Sequence, residues 1–245
     1  MASLPFLGCD AREERENIVF CFPSSKLKRN PTEVADNLQA AFTLLATQFP
    51  APHQMDYRRC FSQDTRILIG YRRGTQHASD GQPVDENADV DPGYYHPEHR
   101  VNVPWDYLDH GENSHGFDAN VAFQPEYCCG HELGHPFESV GLDGNPNQGE
   151  WKEGICDFTR LVLLKEWGQR DAKFGPICHQ YEQYLLSVDP TGRADDSNER
   201  RYHFAARLIL EWFTKNNLSL ELRHLRQLFD GDMTKILGSW RDTGP

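Results

Sequence analysis

Residues 130–135 read GHELGH, a segment in which two histidines stand four positions apart and a glutamate directly follows the first. On a helix of about 3.6 residues per turn, positions four apart lie about 40° apart around the axis, so both imidazoles can reach one metal ion. Glu132 could then accept a proton from a metal-bound water, which zinc brings to a pKa near 7. The spacing therefore predicts a zinc site with His131 and His135 as ligands and Glu132 as the general base.

A catalytic zinc usually has three protein ligands and one open position, so a third donor must lie outside this segment. The acidic candidates that follow it are Glu138, Asp143, Glu150 and Glu153. Glu138 would compete for space that His135 crosses, and Asp143 misses the fixed offsets of zincins that turn sharply after the metal helix. Glu153 precedes Asp157 by four residues, so on a helix Glu153 can bind the metal while Asp157 orients a ligand histidine. We therefore expect Glu153 to be the third ligand and Asp157 to orient a ligand histidine.

Three segments, in this order, carry a family resemblance: HELGH, then WKEGICDFTR at 151–160, then YHFAARL at 202–208. Together they resemble the plant basic secretory protein family of proposed zinc peptidases, also found in fungi and bacteria. Members of that family show HExxH, an EGIADFVR-like segment and a YDxTARFL-like segment. The similarity covers residues 100 to about 230, and the pair Glu153-Gly154 more distantly resembles the gluzincin aminopeptidases. It implies a zincin-like fold and peptidase activity, although Cys156 replaces an alanine and His203 an aspartate.

Tyr202 matches the tyrosine of the family's third segment, and this resemblance implies a role in catalysis. Zincins commonly need a hydrogen-bond donor to the oxyanion, and a phenol stays protonated across the neutral range. We therefore predict that Tyr202 is this donor. Other residues on the same or neighbouring predicted helices could take the role instead: His203, Tyr181, Tyr184 and His224.

The composition of the chain limits its partners. Its 245 residues suit one domain, and its formal net charge of −12 with a pI near 5.3 argues against nucleic acid or an anionic membrane surface as the main partner. The sequence has no sustained apolar run long enough to span a bilayer, and its start has neither a basic region nor an apolar one. We expect a cytoplasmic protein that does not bind membranes, with non-classical secretion as the alternative.

Cysteine usage fits a reduced environment. The chain has seven cysteines and no CxxC pair, which is typical of an intracellular protein rather than a disulfide framework. Cys128 and Cys129 directly precede HELGH, but neighbouring residues on a helix point about 100° apart, so we do not expect them to bind the metal. Three histidines in or directly after the polar segment 74–98 are also expected to face solvent: His77, His96 and His99.

Hydrophobic periodicity predicts strands at 17–22, 66–71 and 100–104. It predicts helices at 31–49, 125–140, 151–167, 176–187, 198–215 and 218–229, with Gly168 ending the third of them. Segment 74–98 is rich in Gly, Pro and Asp and is expected to be a long surface loop. The order predicts an α+β fold: one zincin-like metallohydrolase domain over 1–245, with a small N-terminal mixed sheet and metal-binding helix before a mainly helical C-terminal half.

Three functions are compatible with these residues. The first is a Zn²⁺-dependent peptidase, with manganese as the alternative metal. The second applies the same site to a small-molecule amide, lactone or other ester. The third is a non-catalytic binding protein on a peptidase fold, which the presence of every required side chain disfavours. The partner is thus expected to be a peptide or a small molecule, and the sequence leaves the oligomeric state open.

Overall fold

The computed structural model describes residues 8–48, 66–72, 93–95, 100–104, 124–135, 148–188 and 198–227. The chain has two compact units, one of residues 1–43 with 54–132 and one of residues 44–53 with 133–245. The described strands belong to the first unit, and helices build the second. The predicted α+β composition, a small N-terminal mixed sheet followed by a mostly helical remainder, is confirmed. That the chain acts as one zincin-like domain stays a prediction.

The sheet of the first unit has five strands: β1 (Ala11–Glu14), β2 (Ile18–Phe22), β3 (Ile67–Arg72), β4 (Gly93–Tyr95) and β5 (Arg100–Pro104). Their order in the sheet is β1-β2-β3-β5-β4. Strands β2, β3 and β5 run parallel to one another, whereas β1 and β4 pair antiparallel at the two edges. The sheet is therefore mixed.

Strand β2 shows why the centre of this sheet could be recognised from sequence. All five of its residues, Ile18 to Phe22, are buried, which is the pattern of a parallel strand covered on both faces. Helix α1 (Pro31–Gln48) provides the long crossover that a parallel β2–β3 pair requires. It buries Val34, Leu38 and Ala41 at helical spacing.

One face of the sheet carries two cysteines. Cys21 is fully buried beside Val19, and Cys9 packs against them and donates a hydrogen bond from Sγ to the carbonyl oxygen of Tyr71 at 3.2 Å. Burial raises the pKa of Cys9 to about 12 and that of Cys21 to about 11. Both side chains therefore behave as small apolar groups rather than as reactive thiolates.

The three predicted strands are confirmed to within a residue or two, but the two edge strands were not predicted. Strand β1 is a short polar segment with no apolar alternation of its own. Strand β4 lies inside 74–98, so the prediction of a continuous loop there is wrong at Gly93–Tyr95. Pairing of Tyr94 with Val101 of β5 supplies the backbone hydrogen bonds that this segment's composition does not suggest. The rest of 74–98, with His77 and His96, lies outside the described residues, as does the neighbouring His99.

Helix α2 (Gln124–Glu132) carries the start of the HELGH segment and is shorter than predicted. We expected it to continue to residue 140, but the regular helix ends at Glu132, and Leu133 to His135 follow as a turn. Gly134 is a weak helix former, and Pro136 disfavours helical dihedrals at His135 and cannot donate a backbone hydrogen bond. Residues 136–140 lie outside the described part.

A buried ion pair holds the first turn of α2. The carboxylate of Glu126 is fully buried and accepts hydrogen bonds from the Arg29 guanidinium and, at 3.0 Å, from Nδ2 of Asn37 on α1. Burial raises the pKa of Glu126, while Arg29 and Asn37 act to lower it. The first turn of α2 is therefore held by a buried carboxylate that depends on its cationic partner.

The second unit contains four described helices: α3 (Gln148–Arg170), α4 (Phe174–Ser187), α5 (Asn198–Lys215) and α6 (Leu222–Gln227). All four were predicted, with α3 extending further at both ends. Gly168 was expected to stop α3, but the helix continues past it. An interior glycine costs a helix only about 1 kcal/mol, and a side chain at Gly168 would come within 3.6 Å of the Gly175 backbone. That distance is an ordinary van der Waals contact, so the packing of α3 on the start of α4 leaves room for a small side chain at position 168.

Helix α3 is the centre of the second unit. Its residues 155–164 are all buried, so the helix is covered on every side rather than along one stripe. It packs against α4 and α5. The rings of Phe158 and Phe213 lie 4.7 Å apart, and the fully buried Ala205 and Ala206 allow α5 to approach closely. Side chains on α3 are therefore held in fixed positions. Among the described helices, none is both long enough and apolar enough to cross a bilayer.

Candidate metal centre

The HELGH segment places its three predicted residues at the end of α2 and in the following turn. His131 lies in the last turn, Glu132 is the final helical residue, and His135 comes three residues later. His131 and Glu132 are buried, with 9% and 4% of their surfaces exposed, and His135 is partly buried. Buried polar side chains require hydrogen-bond, charge or metal partners. Groups of such side chains are typical of functional sites.

The imidazole of His135 contacts two side chains of α3 through its two different nitrogens. Sγ of Cys156 lies 3.5 Å from Nδ1, and Oε2 of Glu153 lies 3.8 Å from Nε2. Because Glu153 and Cys156 are three residues apart on one helix, they share a face and can both reach the same ring. The second unit by itself therefore brings the predicted third ligand to one of the predicted histidines.

Three described residues form a group that could hold a metal ion: His131, His135 and Cys156. One potential ligand atom from each lies within 4.8 Å of the others. Imidazole nitrogen and thiolate sulfur are donors that zinc accepts. Cys156 was not predicted as part of the site, although its position three residues after Glu153 placed it on the same helical face.

Asp157 lies one turn after Glu153 and is almost fully buried. Its Oδ2 is 3.3 Å from Nε2 of His203 on α5, and its Oδ1 is 3.5 Å from Nη1 of Arg160. The guanidinium of Arg160 also lies over the ring of Tyr181, 5.3 Å from the centroid. Asp157 therefore belongs to a buried polar cluster, and its predicted hydrogen bond to a ligand histidine stays a prediction.

Several predicted positions fall outside what the structure describes. Tyr202 lies in α5, but its side chain is not among the described residues. The same holds for the side chain of Glu150 in α3, and Glu138 and Asp143 lie in the segment 136–147. The role of Tyr202 thus stays a prediction.

Two cysteines next to the motif have other surroundings. Sγ of Cys128 donates to the carbonyl oxygen of Asn102 on β5 at 3.7 Å. Cys129 is fully buried, and burial raises its pKa well above the usual range, with the nearby Glu132 carboxylate contributing. A thiol that resists deprotonation is a poor metal ligand, because the thiolate is the binding form.

No family model, curated protein or solved structure matches the chain. The resemblance to the basic secretory proteins therefore rests on the three sequence segments that carry it, and membership of that family stays a prediction.

Proposed function

We propose that this protein is a metal-dependent hydrolase with a zincin-like site, and that it cleaves peptide bonds. The observation that carries the proposal is the position of His135, whose ring nitrogens face Glu153 and Cys156, in a segment that also supplies buried His131 and Glu132. The resemblance to the basic secretory proteins supports the choice of peptide substrates.

The two nitrogens of His135 offer two ways to hold a metal. In the first, Nε2 binds it together with Glu153, and Cys156 supports the ring at Nδ1. In the second, Nδ1 binds it together with Cys156. From the usual zinc bond lengths, two ligand atoms of one ion would stand about 3.4 Å apart for nitrogen and oxygen and about 3.6 Å apart for nitrogen and sulfur. The observed 3.5 Å to Cys156 matches its value, and the observed 3.8 Å to Glu153 is longer than its value by about 0.4 Å.

We favour Glu153 as the third ligand for a chemical reason. A ligand histidine commonly makes a second contact through its other ring nitrogen, which fixes its tautomer and orientation. Cys156, at hydrogen-bonding distance from Nδ1, can make that contact, whereas the gap between Nε2 and Glu153 is longer than a hydrogen bond. His131, His135 and Glu153 would then hold Zn²⁺, which lowers the pKa of a bound water to about 7.

Glu132 supplies the proton transfers in this proposal. Its carboxylate follows His131 directly and is buried at the end of α2. As general base it takes a proton from the attacking water, and it then gives that proton to the leaving amine. Burial of the carboxylate keeps it ordered for both steps.

The test is an assay of zinc-loaded protein against a peptide library and a panel of small esters and amides. We expect the wild-type protein to cleave peptides. Glu132→Gln should abolish this cleavage and leave the zinc content and melting temperature unchanged. Glu33→Gln makes the same chemical change at an exposed glutamate of α1 and serves as the matched control.

The other outcomes separate the alternatives. Turnover confined to the small esters or amides would replace the peptidase with a small-molecule hydrolase. Tight zinc binding without turnover on either panel would favour a binding protein. Absence of metal from the purified protein, and failure to take it up, would overturn the proposal.

A further inference from the structure

Three helices of the second unit contribute to one hydrogen-bonded array. Asp157 on α3 lies 3.3 Å from Nε2 of His203 on α5, and Nδ1 of the same imidazole lies 3.0 Å from the hydroxyl of Tyr184 on α4. Asp157 and His203 are buried, whereas Tyr184 is partly exposed. The array therefore leads from a buried carboxylate to the phenol of a partly exposed residue.

The proton positions follow from the chemistry of the three groups. An ionised aspartate only accepts hydrogen bonds, so the nitrogen of His203 that faces Asp157 carries the proton. Arg160 lies 3.5 Å from the other carboxylate oxygen and is a cationic partner for it. In a neutral imidazole the second nitrogen is then an acceptor, and the Tyr184 hydroxyl must donate to it. The phenolic proton is thus directed at His203.

This order of hydroxyl, imidazole and carboxylate is the arrangement that activates a hydroxyl nucleophile. The imidazole can take the hydroxyl proton as the oxygen attacks, and the carboxylate stabilises the imidazolium that forms. A phenol has a pKa of about 10, which is far lower than that of an aliphatic alcohol, so it needs less help to react. Tyrosine is among the residues that form covalent intermediates in enzymes.

We propose that Tyr184 is an activated phenol, backed by His203 and Asp157, which reacts with activated acyl compounds such as aryl esters. Its hydroxyl oxygen forms a bond to the carbonyl carbon while the phenolic proton passes to Nδ1 of His203. The bond to the leaving oxygen then breaks, and that oxygen takes the proton from Nδ1. The products are an O-acyl Tyr184 and the free alcohol or phenol. This step uses no metal, so it does not depend on the proposed hydrolase activity.

The experiment treats the full-length protein with p-nitrophenyl acetate, with zinc and after chelation, and locates acetyl groups by peptide mass spectrometry. We expect Tyr184 to be acetylated faster than the other tyrosines, with a burst of p-nitrophenol near one equivalent in both conditions. Tyr184→Phe keeps the ring packing against His203 and should lose the adduct and the burst. Tyr71→Phe makes the same change at a fully buried tyrosine, whose pKa burial raises, and should retain both.

His203→Gln, checked for an unchanged melting temperature, should slow acetylation of Tyr184 roughly 100-fold, the usual scale of general-base assistance. If His203→Gln does not fold, the distribution of adducts over the tyrosines of wild type decides instead. Acetylation spread evenly over exposed tyrosines and lysines, or an unchanged rate at Tyr184 in a folded His203→Gln, would show that the array only holds the helices together. If the proposed hydrolase activity proved absent, these results would still hold, because the acetylation is measured in the chelated protein.

Discussion

The thiol of Cys156 lies 3.5 Å from Nδ1 of His135. The other nitrogen of that ring faces Glu153, so two side chains of α3 meet one imidazole at different atoms. A single metal ion can use only one of these nitrogens. The choice between a carboxylate and a sulfur ligand is therefore open to direct measurement.

Cobalt substitution distinguishes the two ligand sets, because a thiolate bound to Co²⁺ gives an intense charge-transfer band in the near ultraviolet. We expect that band to be weak or absent. Glu153→Ala should lower metal affinity by more than roughly 100-fold, whereas Cys156→Ala, which removes only a supporting contact, should lower it roughly 10 to 100-fold. A strong band that disappears in Cys156→Ala would make Cys156 the ligand. Absorption spectra and metal titrations of the three proteins provide the comparison.

Asp157→Ala should weaken metal affinity roughly 10 to 100-fold if this carboxylate also orients a ligand histidine. The same change removes the Asp157 carboxylate from beside the buried Arg160, so the melting temperature should fall as well. His203→Gln is the control, because it alters the contact with Asp157 and leaves the carboxylate in place. Isothermal titration with zinc reads out the first effect. Affinity equal to that of wild type in Asp157→Ala would restrict Asp157 to the cluster with Arg160 and His203.

Tyr202→Phe should reduce turnover by roughly 100 to 1,000-fold, equivalent to about 3 to 4 kcal/mol for one oxyanion donor. Its zinc content and melting temperature should stay unchanged, since the ring is kept. Tyr184 is a weaker candidate for this donor, because its hydroxyl already lies at hydrogen-bonding distance, 3.0 Å, from Nδ1 of His203. Normal turnover by Tyr202→Phe would transfer the role to another residue, with His203 and His224 the next to replace.

Arg29→Met should destabilise the protein by about 3 to 5 kcal/mol at pH 7, because it leaves the Glu126 carboxylate buried without its cation. Burial raises the pKa of Glu126 above its unfolded value, and removal of Arg29 raises it further. The folded state then binds the proton more tightly than the unfolded state. Stability of the variant should therefore be highest below the unfolded pKa and decrease as pH rises through the folded one.

Urea denaturation at pH 5 and pH 7 measures this dependence, and the deficit relative to wild type should be smaller at pH 5. Arg12→Met is the matched control, since it breaks an exposed ion pair with Glu14 and should cost less than about 1 kcal/mol. If the deficit were the same at both pH values, the carboxylate of Glu126 would not be its source.

Sequence periodicity predicted the parallel strands and all the described helices, because each of these segments carries its own apolar pattern. The prediction failed where contacts between residues far apart in the sequence determine the structure. Strand β4 forms through pairing with β5. Helix α3 continues through Gly168 because an interior glycine costs only about 1 kcal/mol, which the packing of α3 against α4 and α5 can offset. The end of α2 was predictable from Pro136, but the predicted helix over 125–140 took Gly141 as its end.

The site shows the same division. HELGH and the spacing from Glu153 to Asp157 are local signals, and the structure brings Glu153 to His135. The array of Asp157, His203 and Tyr184 joins three helices, and the spacing of these residues along the chain does not predict it. Such contacts depend on how α3, α4 and α5 pack, which is a property of the folded second unit.

The burial of three cysteine thiols affects how readily they are oxidised. Burial raises the pKa of Cys21 and Cys178 to about 11 and that of Cys9 to about 12. At pH 8, a thiol with a pKa of about 11 is thiolate in only about one molecule in a thousand. Sulfenic acid formation and exchange with glutathione both proceed through the thiolate, so these three positions should stay reduced where an ordinary surface cysteine would be modified.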